Sequence, residues 1–169
     1  MKRLAVLRHA TSSVGEPDFD RHLNDRGWKE ARRLGSELEQ RGVRFDLGLA
    51  SPAARVRETL EGVAAGYGAL PFPVRFESRI YEAGADALIE LIRDLPGSAN
   101  AVLLVGHNPG LQHLLVELSR GDGRGRRDRV AGTYPPAALA VVELLVEVWT
   151  EVAPGSGTIV ELLEPHVLD

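Results

Sequence analysis

Leu4-Ala5-Val6-Leu7-Arg8-His9-Ala10 opens the chain with four apolar residues that run into a cation and an imidazole. A continuous apolar run this short, bounded by charge, reads as a buried strand. The same grammar returns in Val102-Leu103-Leu104-Val105-Gly106-His107-Asn108-Pro109-Gly110, and again where Leu47-Gly48-Leu49-Ala50 passes into Ser51-Pro52-Ala53-Ala54-Arg55. Helical patterns separate the runs. That alternation predicts a three-layer α/β/α sandwich with a mostly parallel central sheet. In open sheets of this kind ligands bind beyond the carboxyl ends of the strands. Arg8, His9, Arg55 and His107 all fall at such ends.

The remaining elements follow outward from those three runs. Strand one covers about Lys2 to Leu7, and Thr11 to Asp20 is a polar loop. Asn24 or Asp25 can cap a helix that reaches about Arg41, with Ala31, Leu34 and Leu38 on one face and Gly42 as its stop. Strand two is about Phe45 to Ala50. Ser51-Pro52 reads as an N-cap followed by a first-turn proline, for a helix that ends near Gly66 to Gly68. Val74 to Phe76 is a short strand and Ala85 to Leu95 a short helix. Ala101 to Val105 is a central strand, followed by a helix from about Pro109 to Arg120. Ala138 to Val148 and Gly157 to Leu163, parted by Pro154-Gly155-Ser156-Gly157, read as an antiparallel C-terminal strand pair. One domain over residues 1–169 is the simplest organisation.

Composition removes several classes of function. Cysteine is absent, which excludes disulfides, thiolate zinc sites and cysteine-dependent phosphatase chemistry. A net charge of −4 argues against a general nucleic-acid binder. No apolar stretch approaches the roughly 20 residues of a membrane span. Met1-Lys2-Arg3 leads into a short run with no small-residue cleavage site, so the expected compartment is the cytoplasm. No cluster of Asp, Glu and His has ligand spacing, so neither a catalytic metal nor a cofactor is expected.

The strand-end residues suit one kind of chemistry. Neutral imidazole attacks phosphorus well when one ring nitrogen is held by a carbonyl and the other points outward. A buried histidine that merely caps a strand is the plain alternative for His9. Guanidinium forks grip phosphate oxygens in pairs, which suits Arg8 and Arg55. Helix N-termini at the same edge favour anions. His107, in its Gly-His-Asn-Pro-Gly turn, can donate to a phosphoryl oxygen and stabilise the transition state. Arg57 reads as surface.

These segments resemble the histidine phosphatase superfamily, with its phosphoglycerate-mutase-like fold. Within it they are most similar to the small SixA-type phosphohistidine phosphatases. The resemblance is carried in order by Leu7-Arg8-His9-Ala10, Phe19-Asp20-Arg21-His22-Leu23-Asn24-Asp25-Arg26-Gly27, Ser51-Pro52-Ala53-Ala54-Arg55, Ile80-Tyr81-Glu82-Ala83 and Val105-Gly106-His107-Asn108-Pro109-Gly110. It implies a phosphate pocket of Arg8, His9, Arg55 and His107, with His9 transiently phosphorylated. It also implies that Arg21 meets substrate, that Thr11 or Ser12 adds a hydroxyl, and that Asn108 borders the substrate. Glu82 holds the position of the general acid of larger relatives, and reads equally well as a surface glutamate. His22 stands where the small group commonly has proline, and Pro136 where it tends to have threonine.

The implied substrate is a phosphohistidine-bearing protein, with a small phosphoester as the alternative. A non-catalytic phosphate-binding protein is the rival of another class. No nucleic-acid or membrane partner is expected. Arg120, Arg124, Arg126, Arg127 and Arg129, interspersed with Asp122 and Asp128, read as a solvated loop, with a basic lip for an acidic or phosphorylated protein as the second reading. His113 and His166 read as surface residues.

Overall fold

A computed structural model describes residues 1–165; His166 lies outside the described residues. Six strands form one sheet in the order β3-β2-β4-β1-β5-β6. They are β1 (Lys2–Arg8), β2 (Leu47–Ala50), β3 (Val74–Phe76), β4 (Ala101–Gly106), β5 (Leu139–Leu144) and β6 (Gly157–Leu163). The neighbours β3-β2, β2-β4 and β4-β1 are parallel, while β5 runs antiparallel to both β1 and β6. The C-terminal ends of β2, β4 and β1 therefore lie side by side at one edge.

The period of two along each strand divides the core between the two faces. Ala5 and Leu7 of β1 and Leu103 and Val105 of β4 face one layer; Leu4, Val6, Val102 and Leu104 face the other. The first layer holds α1 (Asp25–Gln40) and α2 (Ala54–Tyr67) through Ala31, Leu34, Leu38, Val56, Leu60 and Val63. The second holds α3 (Ala85–Arg93) and α4 (Gly110–Leu118), with α5 (Arg126–Gly132) at its margin. The three-layer α/β sandwich expected from the sequence is the observed architecture. No helix among the described residues is long and apolar enough to cross a membrane.

Local chemistry sets the boundaries near the sheet edge. Asn24 caps α1, its side chain accepting the Gly27 N–H at 2.9 Å. Gly27 is required there because a Cβ would stand 2.0 Å from the Thr11 carbonyl oxygen, so the first turn of α1 presses on the loop after β1. Gly110 plays the same part for α4, where a Cβ would stand 2.1 Å from the Ala83 carbonyl oxygen.

Four boundaries differ from the sequence reading. Ala53, not Ser51, is the N-cap of α2, because the Ser51 hydroxyl is turned to His107. Pro109 precedes α4 as its N-cap rather than entering the first turn. β5 ends at Leu144 rather than Val148, and Trp149–Glu151 forms a separate helical turn anchored by the indole N–H on the Ala99 carbonyl. The supposed loop 121–132 contains α5. Tertiary contacts explain that last difference: Val130 is buried, Gln112 donates to its carbonyl, and Arg127 donates to the carbonyls of Val116 and Ser119. Arg126 pairs with Asp122 and Arg129 with Glu164. The arginines of this segment that form α5 thus hold its own frame together, where the sequence reading expected a solvated loop.

Candidate active site

The first residue past β1 is His9. Its backbone N–H donates to the Gly106 carbonyl at 3.1 Å, carrying the β1–β4 ladder one residue beyond the strands. Ala137 N–H then bridges the carbonyls of Arg8 and His9. The ring is buried, with Nδ1 2.8 Å from the Ala10 carbonyl oxygen. A carbonyl only accepts, so Nδ1 carries the proton and Nε2 keeps its lone pair. The Ala10 peptide is itself fixed by Thr59 of α2. That buried hydroxyl accepts the Ala10 N–H at 3.0 Å and donates to the Arg55 carbonyl at 2.6 Å. One side chain thus ties the His9 turn to the helix that carries Arg55.

Arg55, in the first turn of α2, is 4% exposed. Its guanidinium donates to the backbone carbonyl and to Oδ2 of Asp18, while its Nε is buried without a partner. Arg8 donates to the Tyr134 carbonyl at 3.0 Å and likewise leaves Nε unpartnered. His107 follows β4, its ring centroid 5.5 Å from that of His9. Its Nε2 lies 2.7 Å from Ser51 Oγ, and its Nδ1 is buried without a partner. Three buried nitrogens without partners around one cleft of about 540 Å³, two of them guanidinium N–H groups, suit the binding of an anion.

Burial keeps both imidazoles neutral. It pushes His9 down to about 3, with Arg55, His107 and Arg8 adding to the effect against the Ala10 hydrogen bond. It pushes His107 down to about 4, with Arg55 the leading charge in the same direction. In the unfolded chain both titrate near 6.5. Between about pH 4 and 6.5 the unfolded chain therefore binds protons that the folded chain refuses, so this stability is complete above 6.5 and lost as the pH falls. His22, raised by its contact with Glu58 and by Glu16, acts in the opposite sense. The unfolding midpoint of the parent should accordingly drop more steeply between pH 6.5 and 4.5 than that of His9→Ala. Parallel curves would mean that His9 titrates normally.

The other residues singled out in the sequence gather unevenly. Thr11 and Ser12 both line the cleft; Thr11 N–H donates to Glu30 and Ser12 Oγ accepts from Arg21 at 3.2 Å. Arg21 reaches the same wall and pairs with Asp18 at 3.0 Å. Glu82 is exposed on the opposite wall with its backbone in the left-handed region, φ 62°. Asn108 borders the cleft, but its amide group donates to the Tyr134 carbonyl and accepts from Gln112 N–H, so it braces the turn into α4. Pro136 lines the wall without a hydroxyl, and His113 proves to be a cleft residue as well as an exposed one. Among the described residues no three His, Asp or Glu side chains converge as a metal-binding group.

Asp18 is the charged cleft residue that sequence reasoning missed. It sits in a helical turn, Asp18–Asp20, and its carboxylate takes hydrogen bonds from Tyr81 and Arg55 and pairs with Arg21. The Tyr81 hydrogen bond, with the Arg55 and Arg21 cations, holds it down to about 2. An internal carboxylate thus occupies part of the Arg55 fork. Tyr81, edge-on to both Phe19 and His107, closes that side.

Known proteins carry the same arrangement of segments. The model of the histidine phosphatase superfamily (branch 1) matches residues 4–88. The uncharacterized protein Rv1276c of Mycobacterium tuberculosis is 30% identical over 164 residues, covering 95% of this chain and 100% of its own. Among solved structures, a candidate phosphohistidine phosphatase SixA from Nakamurella multipartitia superposes with a TM-score of 0.83 at 26% identity, over 97% of this chain and 96% of that one. One from Agrobacterium tumefaciens gives 0.77 at 27% identity, over 97% and 98%. The chain belongs to the histidine phosphatase superfamily and is a phosphatase with the SixA-type fold.

Proposed function

We propose that this enzyme is a metal-independent phosphatase of the cytoplasm that works through phosphorylated His9, and that its substrate is a phosphohistidine in another protein. The observation that carries the reading is the His9 ring: neutral, pinned through Nδ1 on Ala10, with Nε2 free in a cleft edged by Arg8, Arg55 and His107. Nε2 attacks phosphorus while the bond to the leaving group breaks, and the Ala10 carbonyl supports the charge that develops on the ring. The guanidinium groups and His107 hold the equatorial oxygens. Water then attacks phosphorus, the P–N bond breaks, and phosphate leaves with His9 restored.

Two features favour a protein substrate. The cleft is bounded by short segments, Thr11–Arg21 on one side and Tyr81–Gly84 on the other, so among the described residues no lid encloses a small molecule. An imidazole leaving group also needs little help from an acid, which fits the exposed setting of Glu82. A small phosphoester is the alternative substrate.

The test is a panel of a phosphohistidine protein, an aryl phosphate and alkyl phosphoesters, each with EDTA. Phosphohistidine should exceed the alkyl esters in kcat/KM by about 10²-fold or more, and EDTA should change nothing. Glu82→Gln should slow the alkyl esters by about 10²-fold if Glu82 is the acid, and phosphohistidine much less. A preference for an alkyl ester would select the small-molecule reading. Phosphate binding without any turnover would select the non-catalytic one.

A further inference from the structure

Ser51 stands at the junction of β2 and α2, wholly buried and outside the lining of the cleft. Its Oγ accepts the Ala53 N–H at 3.3 Å and lies 2.7 Å from Nε2 of His107. A hydroxyl has one proton to give. Among the described residues, Nε2 is the acceptor in contact with that proton. If Nε2 were instead the donor, Ser51 would bury a proton with no acceptor, and Nδ1 would bury a lone pair with no donor. The serine's penalty vanishes when Ser51 donates to Nε2, and the ring proton then sits on Nδ1, which has no partner in the resting protein in either tautomer and as an N–H is a donor open to an incoming anion.

We propose that Ser51 is a positioning residue that holds the proton of His107 on Nδ1, so that the neutral ring can donate to a phosphoryl oxygen. The second half rests on the reading that His107 contacts phosphate. Because burial keeps the ring neutral at ordinary pH, its one N–H is all it can offer, and the choice of nitrogen decides whether it offers anything. The spacing on the chain fits a shared task. Ser51, Arg55 and Thr59 recur every four residues; they contact His107, Asp18 in the cleft and the Ala10 peptide in turn. One short segment thereby sets the ring states of both histidines and presents the guanidinium between them.

The ring-nitrogen chemical shifts of His107, read by NMR in the resting protein, test this without requiring turnover. The parent should show Nδ1–H alone. Ser51→Ala should introduce Nε2–H, weaken binding of inorganic phosphate by about 10-fold, and lower kcat/KM for an aryl phosphate at least as much. Ser51→Cys, which keeps a weaker donor, should fall between. A purely structural serine would lower the unfolding midpoint and leave the tautomer where it was. Nε2–H in the parent, or an unchanged tautomer in Ser51→Ala, overturns the proposal. A shifted tautomer with unchanged phosphate affinity overturns the donation to phosphate, and with it the assignment of His107 in the proposed function, while the proton placement stands.

Discussion

His9→Ala should form no phosphoenzyme and lose at least about 10³-fold in turnover of an aryl phosphate, equivalent to about 4 kcal/mol of barrier. The other imidazoles at the cleft are His107 and the exposed His113, and of these it is His107 whose ring stands against that of His9. His107 is neutral as well, but the Nε2 lone pair faces the Ser51 hydroxyl, and on the proton placement proposed above Nδ1 carries the ring proton, so neither nitrogen offers a free lone pair as His9 Nε2 does. The variant should fold, because the strand carrying His9 is anchored by backbone bonds from His9 N–H to Gly106 and from Ala137 N–H to Arg8. It should even gain relative stability in mild acid, since the imidazole it loses resists protonation when folded. Phosphate affinity should survive in part, because Arg8 and Arg55 remain. Rapid mixing with radiolabelled aryl phosphate, followed by alkaline quench, reads the phosphoenzyme directly. A His9→Ala protein that still accumulates base-stable, acid-labile phosphate would place the nucleophile elsewhere.

Much of this was readable in the sequence because strands and anion sites obey short-range rules. The apolar runs of β1 and β4 are short and bounded by charge or glycine, which favours buried strands over helices, and parallel strands place their following residues at one edge. Hence Arg8, His9 and His107 meet as expected. Arg55 arrived by a flawed route. Ser51-Pro52 resembles a cap and first turn, yet the serine hydroxyl serves a histidine 56 residues away, and the cap falls to Ala53. Side-chain hydrogen bonds of that range leave no trace in local propensity. Asp18 was invisible for a related reason. In a loop of Ser, Gly, Pro and Asp an aspartate reads as a turn former, and only tertiary structure brings it to Arg55 and Tyr81. The arginine-rich segment misled in the other direction. Its glycines and mixed charges suggested solvent exposure, while Val130 and the carbonyls of Val116 and Ser119 capture it as α5.

Arg55→Ala should cost about 10³-fold in kcat/KM, and Arg55→Lys nearly as much, because a point charge cannot replace a planar fork on two phosphate oxygens. The resting structure shows why the fork matters. Arg55 already holds Asp18 through two of its nitrogens, one on the backbone carbonyl and one on the carboxylate, and keeps its buried Nε open. On the proposed function, binding of a phosphoryl dianion should exchange that monoanion for a doubly charged one, leaving Asp18 to its present partners Arg21 and Tyr81. The substitution also has an electrostatic signature that a mere loss of shape would lack. After burial, the Arg55 cation is the leading charge holding down the pKa of His107, and it acts on His9 in the same direction. Removing it while Asp18 remains should raise both imidazoles toward 6.5, and hence move the acid limb of kcat/KM upward in pH. Arg55→Lys keeps the charge and should leave that limb near its original place. Titration of the two rings by NMR, alongside the pH profiles of the three proteins, separates the fork from the field. Should Arg55→Ala retain activity within a few-fold, with both rings titrating as in the parent, Arg55 would be a structural partner of Asp18 and the phosphate would have to be held by Arg8 and Arg21 instead.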